Sequence, residues 1–234
     1  MSGEPAHARG SSSEIKLRIA SAVVLGALAI FVTWTGGILF AGLWCIAGAM
    51  ALVEWLKVAG AGGLGWKIAG VAFAATVAVA PIVVRMDPLL GLQGILWLFA
   101  VVWGTDIMAF VVGRTLGGPK LWVRISPKKT WSGFIGGLLG GSIGGFLVTA
   151  AAGLPNLFLP TLLALLLSVS VHAGDLLESA VKRRFHVKDS GQLIPGHGGV
   201  MDRLDGFAVA AFLACAIGAA RAGWEQVAQG FLMW

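Results

Sequence analysis

The chain has 234 residues, of which 57% are hydrophobic and only 12% charged, and its mean hydropathy is +0.87. This excludes an ordinary soluble domain, because apolar runs of about 20 residues recur, the length a helix needs to cross a bilayer core of ~30 Å. The net charge of +6 does not call for nucleic acid, since Lys and Arg in a membrane protein report which loops stay in the cytoplasm.

The predicted fold is all-α: a polytopic integral membrane protein with about seven transmembrane helices, within a range of six to eight. Residues 1–16 form a polar N-terminal tail. Residues 17–222 form a single transmembrane domain with cytoplasmic loops at 113–131 and 173–203. Residues 223–234 form an interfacial tail. The apolar run after the N-terminal tail is long for a signal-peptide core and is read as an uncleaved first span. The predicted spans are Leu17–Trp34, Ile38–Val53, Ile68–Val84, Leu92–Val112, Phe134–Ala152, Leu157–His172 and Leu204–Ala220. With the N-terminus inside, Arg9, Lys16, Arg18, Lys57, Lys67 and both charged loops are cytoplasmic. Only Arg85 and Arg221 fall outside. Trp224, Phe231 and Trp234 then suit an aromatic anchor on the far side. Cys45 and Cys215 sit in apolar runs without a metal or redox spacing, so they read as core- or lipid-facing thiols.

In the fourth span, Asp106 lies roughly 10 Å below the helix end near Gly113. A carboxylate at that depth needs a cavity, a cation or a partner. Asp106, Ala109 and Gly113 share a face, and the two small residues leave room for a ligand. "SPKKT" (Ser126–Thr130) reads as a helix start, with Ser126 as cap and Pro127 in the first position. Lys128, Lys129 and Thr130 would then grip an anion at a helix N-terminus, or serve only as positive-inside charge. The fifth span carries Gly133, Gly137, Gly141 and Gly145, with Gly136, Gly140 and Gly144 beside them. These stripes predict close helix packing, within the chain or in a dimer, and no chemistry.

The second loop holds Asp175, Glu178 and Lys182 at helical spacing, then Asp202 and Asp205 leading into the last span. Asp175, Asp202 and Asp205 can therefore converge at one membrane boundary. Carboxylates beside lysines suit a hard cation such as Mg²⁺ with phosphates. His197, among glycines in "PGHGG", reads either as a turn residue or as a contact to phosphate or base. There is no GxxxxGK[ST] or HExxH, which argues against a P-loop protein and a zinc protease.

"SAVKRRFHVKDSGQLIPGHGGVMDRLDG" closely resembles the signature of phosphatidate cytidylyltransferases, or CDP-diglyceride synthases. Ser179, Lys182, Arg183, Lys188, Asp189, Gly191, Pro195, His197, Gly198, Gly199, Asp202, Arg203 and Asp205 fit its pattern. "GDLLES", "SPKKTW" and "DIMAFVVGRTLG" are similar to family segments too, so the resemblance spans roughly Asp106 to Gly206. One departure is Ser132-Gly133, where the family often has Glu-Gly. The chain is also short for the family, which implies one or two fewer N-terminal spans.

The resemblance implies transfer of the cytidylyl group of CTP to phosphatidic acid, giving CDP-diacylglycerol and pyrophosphate, by a homodimer in the bacterial inner membrane with its site facing the cytoplasm. It implies Mg²⁺ at Asp175, Asp202 and Asp205, with room for a second, monovalent ion. Lys182 joins these three as catalytic. Lys128, Lys129, Arg183 and Lys188 are expected on the triphosphate or lipid phosphate. Asp106, Ser126, Thr130, Glu178, Asp189, His197, Gly198, Gly199 and Arg203 complete the substrate-binding set; Arg203 could instead pair with Asp202 or Asp189. A CTP-dependent lipid kinase, releasing CDP, and a transporter are the competing readings.

Overall fold

The computed structural model describes residues 12–187, 189–191 and 198–234, with residues 12–22 as backbone alone. Seven long helices run through the described residues: α1 (Ser12–Thr35), α2 (Gly37–Ala59), α3 (Leu64–Met86), α4 (Gly91–Thr115), α5 (Trp131–Ala151), α6 (Phe158–Arg184) and α7 (Met201–Ala222). A short α8 (Val227–Leu232) follows. Six of the seven are long and apolar enough to cross a membrane, and α1 adds the apolar stretch Val23–Thr35. The chain is an integral membrane protein, and each predicted span has its helix.

Three differences from the sequence reading matter for the site. Helix α6 does not stop at His172 but runs on to Arg184, roughly three further turns, so Asp175, Glu178 and Lys182 ride on one rigid element. Helix α2 likewise continues past Val53 to Ala59. The third difference is "SPKKT", which is not a helix start. It forms strand β2 (Ser126–Thr130), antiparallel to β1 (Lys120–Trp122), with Trp122 opposite Ser126 and an irregularity before Lys120 meets Thr130. The cause is Pro127: it disfavours helical backbone at the preceding Ser126 and is tolerated on an edge strand. The cap is Thr130, whose Oγ1 accepts the Gly133 N–H at 3.1 Å, so α5 begins at Trp131.

The glycine stripes of α5 are consumed inside the chain. A Cβ at Gly136 or Gly140 would strike Val112 or Met108 of α4 at 2.6 or 2.5 Å, and one at Gly145 would strike Ala164 of α6 at 2.6 Å. Helix α5 is thus wedged between α4 and α6, as small-residue packing in membranes permits. Thr105 Oγ1 of α4 donates to Ser168 Oγ of α6 at 2.9 Å beneath the wedge.

The end of the bundle away from the charged loops is closed by Asp87. Its carboxylate accepts the Leu89 and Leu90 N–H groups at 3.0 and 2.9 Å and the Gln229 backbone N–H of α8 at 2.8 Å. Phe231, predicted as an interfacial anchor, is instead fully buried against Trp97, because α8 folds back under the bundle. Arg221 stacks on Trp234, 3.5 Å from the ring centroid. Asp87→Ala is expected to cost about 3 kcal/mol, the scale of a lost cap plus buried donors left unmet. Thermal melting of the detergent-solubilised protein measures it, and the charged loops at the other end should be unaffected per folded molecule.

Candidate active site

The charged residues gather where α4 and α6 end and where α5 and α7 begin. A cavity of about 610 Å³ opens there between α4, the β-hairpin, α5 and α6. Asp106, Ala109 and Gly113 line it from α4, as their shared face predicts. Lys128, Lys129 and Thr130 line it from β2, with Arg114 and Lys120 beside them and His172 and Asp175 on α6. The strand conformation, not a helix N-terminus, presents Lys128 and Lys129 to this space.

Aspartates from α6 and α7 meet at a glycine crossing. A Cβ on Gly174 would lie 2.6 Å from the Asp205 carbonyl oxygen, and one on Gly206 would lie 2.9 Å from Asp175 Oδ1. Each aspartate therefore sits beside the glycine that lets the two backbones touch, in Gly174-Asp175 and Asp205-Gly206. Asp205 of α7 also lies within electrostatic range of Asp175 and Glu178 of α6 and Asp106 of α4. Lys129 reaches Asp175 Oδ2 at 2.5 Å, and Lys129 and Arg203 bring positive charge to Asp106.

A second cluster adjoins the first. Lys182 bridges Glu178 at 2.7 Å and Asp202 at 2.8 Å. Asp202 Oδ2 also accepts the Gly199 N–H at 3.4 Å. The predicted trio of Asp175, Asp202 and Asp205 is thus divided: Lys129 holds Asp175 and Lys182 holds Asp202, while Asp205 Oδ1 accepts the Gly206 N–H at 2.9 Å. Among the described residues no three carboxylates, histidines or cysteines are gathered as a ready metal cage. The donors are all oxygen, which fits a hard divalent cation, and one oxygen of buried Glu178 has no hydrogen-bond partner among the described residues.

Other predicted residues fall at varied distances from this centre. Arg183 donates to the Ile125 carbonyl at 3.5 Å, tying α6 to the hairpin turn. Ser126 pairs with Trp122 in the hairpin. Asp189 is exposed, and Gly198 takes φ +85°, which glycine favours. Lys188 and His197 lie outside the described residues. Ser132, at the family's Glu position, donates to the Gly117 carbonyl and braces the hairpin.

The sequence model of the cytidylyltransferase family matches residues 63–220. The chain belongs to the cytidylyltransferase family. Among its relatives, the phosphatidate cytidylyltransferase of Brucella abortus is 40% identical over 255 aligned residues, covering 88% of this chain and 94% of that protein. Those of Staphylococcus haemolyticus and Bacillus subtilis are 48% and 47% identical over 118 residues, half of this chain and 45% and 44% of theirs. A cytidylyltransferase must hold the phosphates of a nucleoside triphosphate, and Lys120, Lys128 and Lys129 line the cavity.

Sequence reasoning passed over two features of the site. Gly174 and Gly206 are given no role there, although the mirrored Gly-Asp and Asp-Gly pairs were the available signal. Glu54 was passed over entirely; it is fully buried beside Gly191 and Gly199. Gly206→Val is expected to lower turnover by at least ~10²-fold, because a displacement of about 1 Å suffices for such a loss. A steady-state assay per folded molecule checks it.

Proposed function

We propose that this cytidylyltransferase joins CTP to phosphatidic acid, forming CDP-diacylglycerol and pyrophosphate. The observation that carries the reading is the meeting of Asp175 and Asp205 at the Gly174–Gly206 crossing, beside a lysine-lined cavity at the ends of the spanning helices. That position lets a water-soluble nucleotide and a lipid phosphate reach one point while the acyl chains stay in the bilayer.

Asp175, Asp202 and Asp205 would hold Mg²⁺, which when bound draws charge from the reacting phosphoryl group. Lys128 and Lys129 bind phosphate oxygens from the hairpin side, and Lys182 from the α6 side. A phosphate oxygen of phosphatidic acid attacks the α-phosphorus of CTP in line. The new O–Pα bond forms as the bond from Pα to the bridging oxygen breaks, and pyrophosphate leaves with that electron pair. The ionised phosphate is already a nucleophile, so the protein's task is positioning and neutralisation of charge. Arg203 lies within electrostatic range of Asp106, which lines the cavity.

The excess of Lys and Arg at this end favours a cytoplasmic site in the inner membrane. A homodimer and a second, monovalent ion follow from the family resemblance. Incubating purified protein with labelled CTP, phosphatidic acid and Mg²⁺ tests the reaction. Pyrophosphate with cytidylylated lipid supports it; CDP release with no cytidine in the lipid overturns it in favour of a kinase.

A further inference from the structure

We propose that Glu54, on α2, is a positioning residue: it fixes the first turn of α7 and so holds Asp202 and Asp205 in register with α6. The inference rests on the reading of those two aspartates as parts of the transfer site.

Glu54 is 0% exposed and has no ion-pair partner among the described residues. A buried carboxylate is costly without a specific use. Its use here is local. Glu54 Oε2 accepts the Met201 N–H at 2.8 Å. Met201 is the first residue of α7, so the carboxylate meets a helix N–H that has no partner within the helix, at the positive end of its dipole. The Met201 side chain is also fully buried, in a cluster with Trp55, Val58 and Ala59. Both the backbone and the side chain of this residue are therefore held by α2.

The same carboxylate touches the glycine-rich segment on two sides. A Cβ on Gly191 would lie 2.5 Å from Glu54 Oε1, and one on Gly199 would lie 2.7 Å from Oε2. Neither glycine has positive φ, so what these positions need is space for Glu54 and not an unusual backbone.

The arrangement divides labour between adjacent acids. A carboxylate in the first turn of a helix is drawn to the exposed N–H groups. Glu54 takes the Met201 N–H, while Asp202 accepts the Gly199 N–H at 3.4 Å and turns Oδ1 to Lys182 at 2.8 Å. Asp205 follows one turn later on the same face.

The test uses the full-length protein in lipid nanodiscs. Glu54→Ala is expected to lower kcat about 10- to 100-fold, the cost of a lost positioning partner. Its KM for CTP should move less than about threefold, since the phosphate-binding lysines are untouched. Glu54→Gln keeps an acceptor oxygen and should recover most of kcat. Wild-type kcat in Glu54→Ala, or no rescue by Gln, overturns the proposal.

Should Glu54→Ala fail to fold, Gly191→Ala supplies the second route, because its new methyl meets Glu54 alone among its nearest neighbours. Combining it with Glu54→Asp, which retracts the carboxylate by one methylene, should restore part of the lost kcat; purely additive losses count against the role. Hydrogen exchange at the amides of residues 201–205 is independent of turnover. It should quicken in Glu54→Gln and more in Glu54→Asp, and unchanged exchange overturns the proposal whatever reaction the wild type performs. A wild type that forms no cytidylylated lipid but shows the faster exchange in the variants overturns the assigned reaction and leaves Glu54's placement of α7 supported.

Discussion

Asp205→Asn is expected to lower turnover by at least ~10²-fold while leaving the fold as stable as before, or more so. The two signs have separate causes. Asp205 lies within electrostatic range of three other acids, Asp175, Glu178 and Asp106. Removing one negative charge relieves like-charge repulsion in a poorly solvated place. The amide is nearly isosteric, so the Gly174–Gly206 crossing need not move. Catalysis fares oppositely. An amide is a poor ligand for a hard cation and carries no charge to hold one against the phosphates. Thermal melting and a steady-state assay on the same preparation read both signs. Near-normal turnover would remove Asp205 from the site. Lost turnover with a fall in melting temperature would assign it to the fold.

The hydrophobic runs made the helices legible, since length and apolarity are all that a span requires. Where helices end was less legible. Asp175, Glu178 and Lys182 look like loop residues because they are charged, yet α6 continues through them to Arg184. Their i, i+3 and i, i+4 spacing carried the information that hydropathy did not. The hairpin was hidden by a genuine ambiguity: Ser-Pro can open a helix or extend a strand, and Thr130 offered an equally good cap four residues later. Glu54 was masked by position, because a single acid in "ALVEWLK" at the edge of an apolar run resembles an ordinary boundary charge. Only folding reveals that α2 ends against Met201, Gly191 and Gly199. That Asp175 of α6 and Asp205 of α7 approach one another was suggested in advance, because each follows or precedes an apolar run and the ends of neighbouring runs must meet.

Lys182→Met separates structure from chemistry at the second cluster. Lys182 lies between Glu178 and Asp202, with its side chain 14% exposed and that of Glu178 only 7%. Removing the cation leaves two carboxylates facing one another with little water. Breaking a buried pair from one side costs ~3–5 kcal/mol, and partial exposure of Asp202 favours a figure of about 3 kcal/mol. Adding Glu178→Gln removes one of the two stranded charges, so the double variant should melt within about 1 kcal/mol of wild type. That coupling is what a double-mutant cycle measures. Turnover should not return with stability. The double variant still lacks the ammonium that neutralises the transferring phosphates, and it should stay at least ~10²-fold below wild type. If turnover recovers together with the melting temperature, Lys182 serves only to keep Glu178 and Asp202 apart, and the phosphate-binding charge must come from Lys128 and Lys129 on the hairpin.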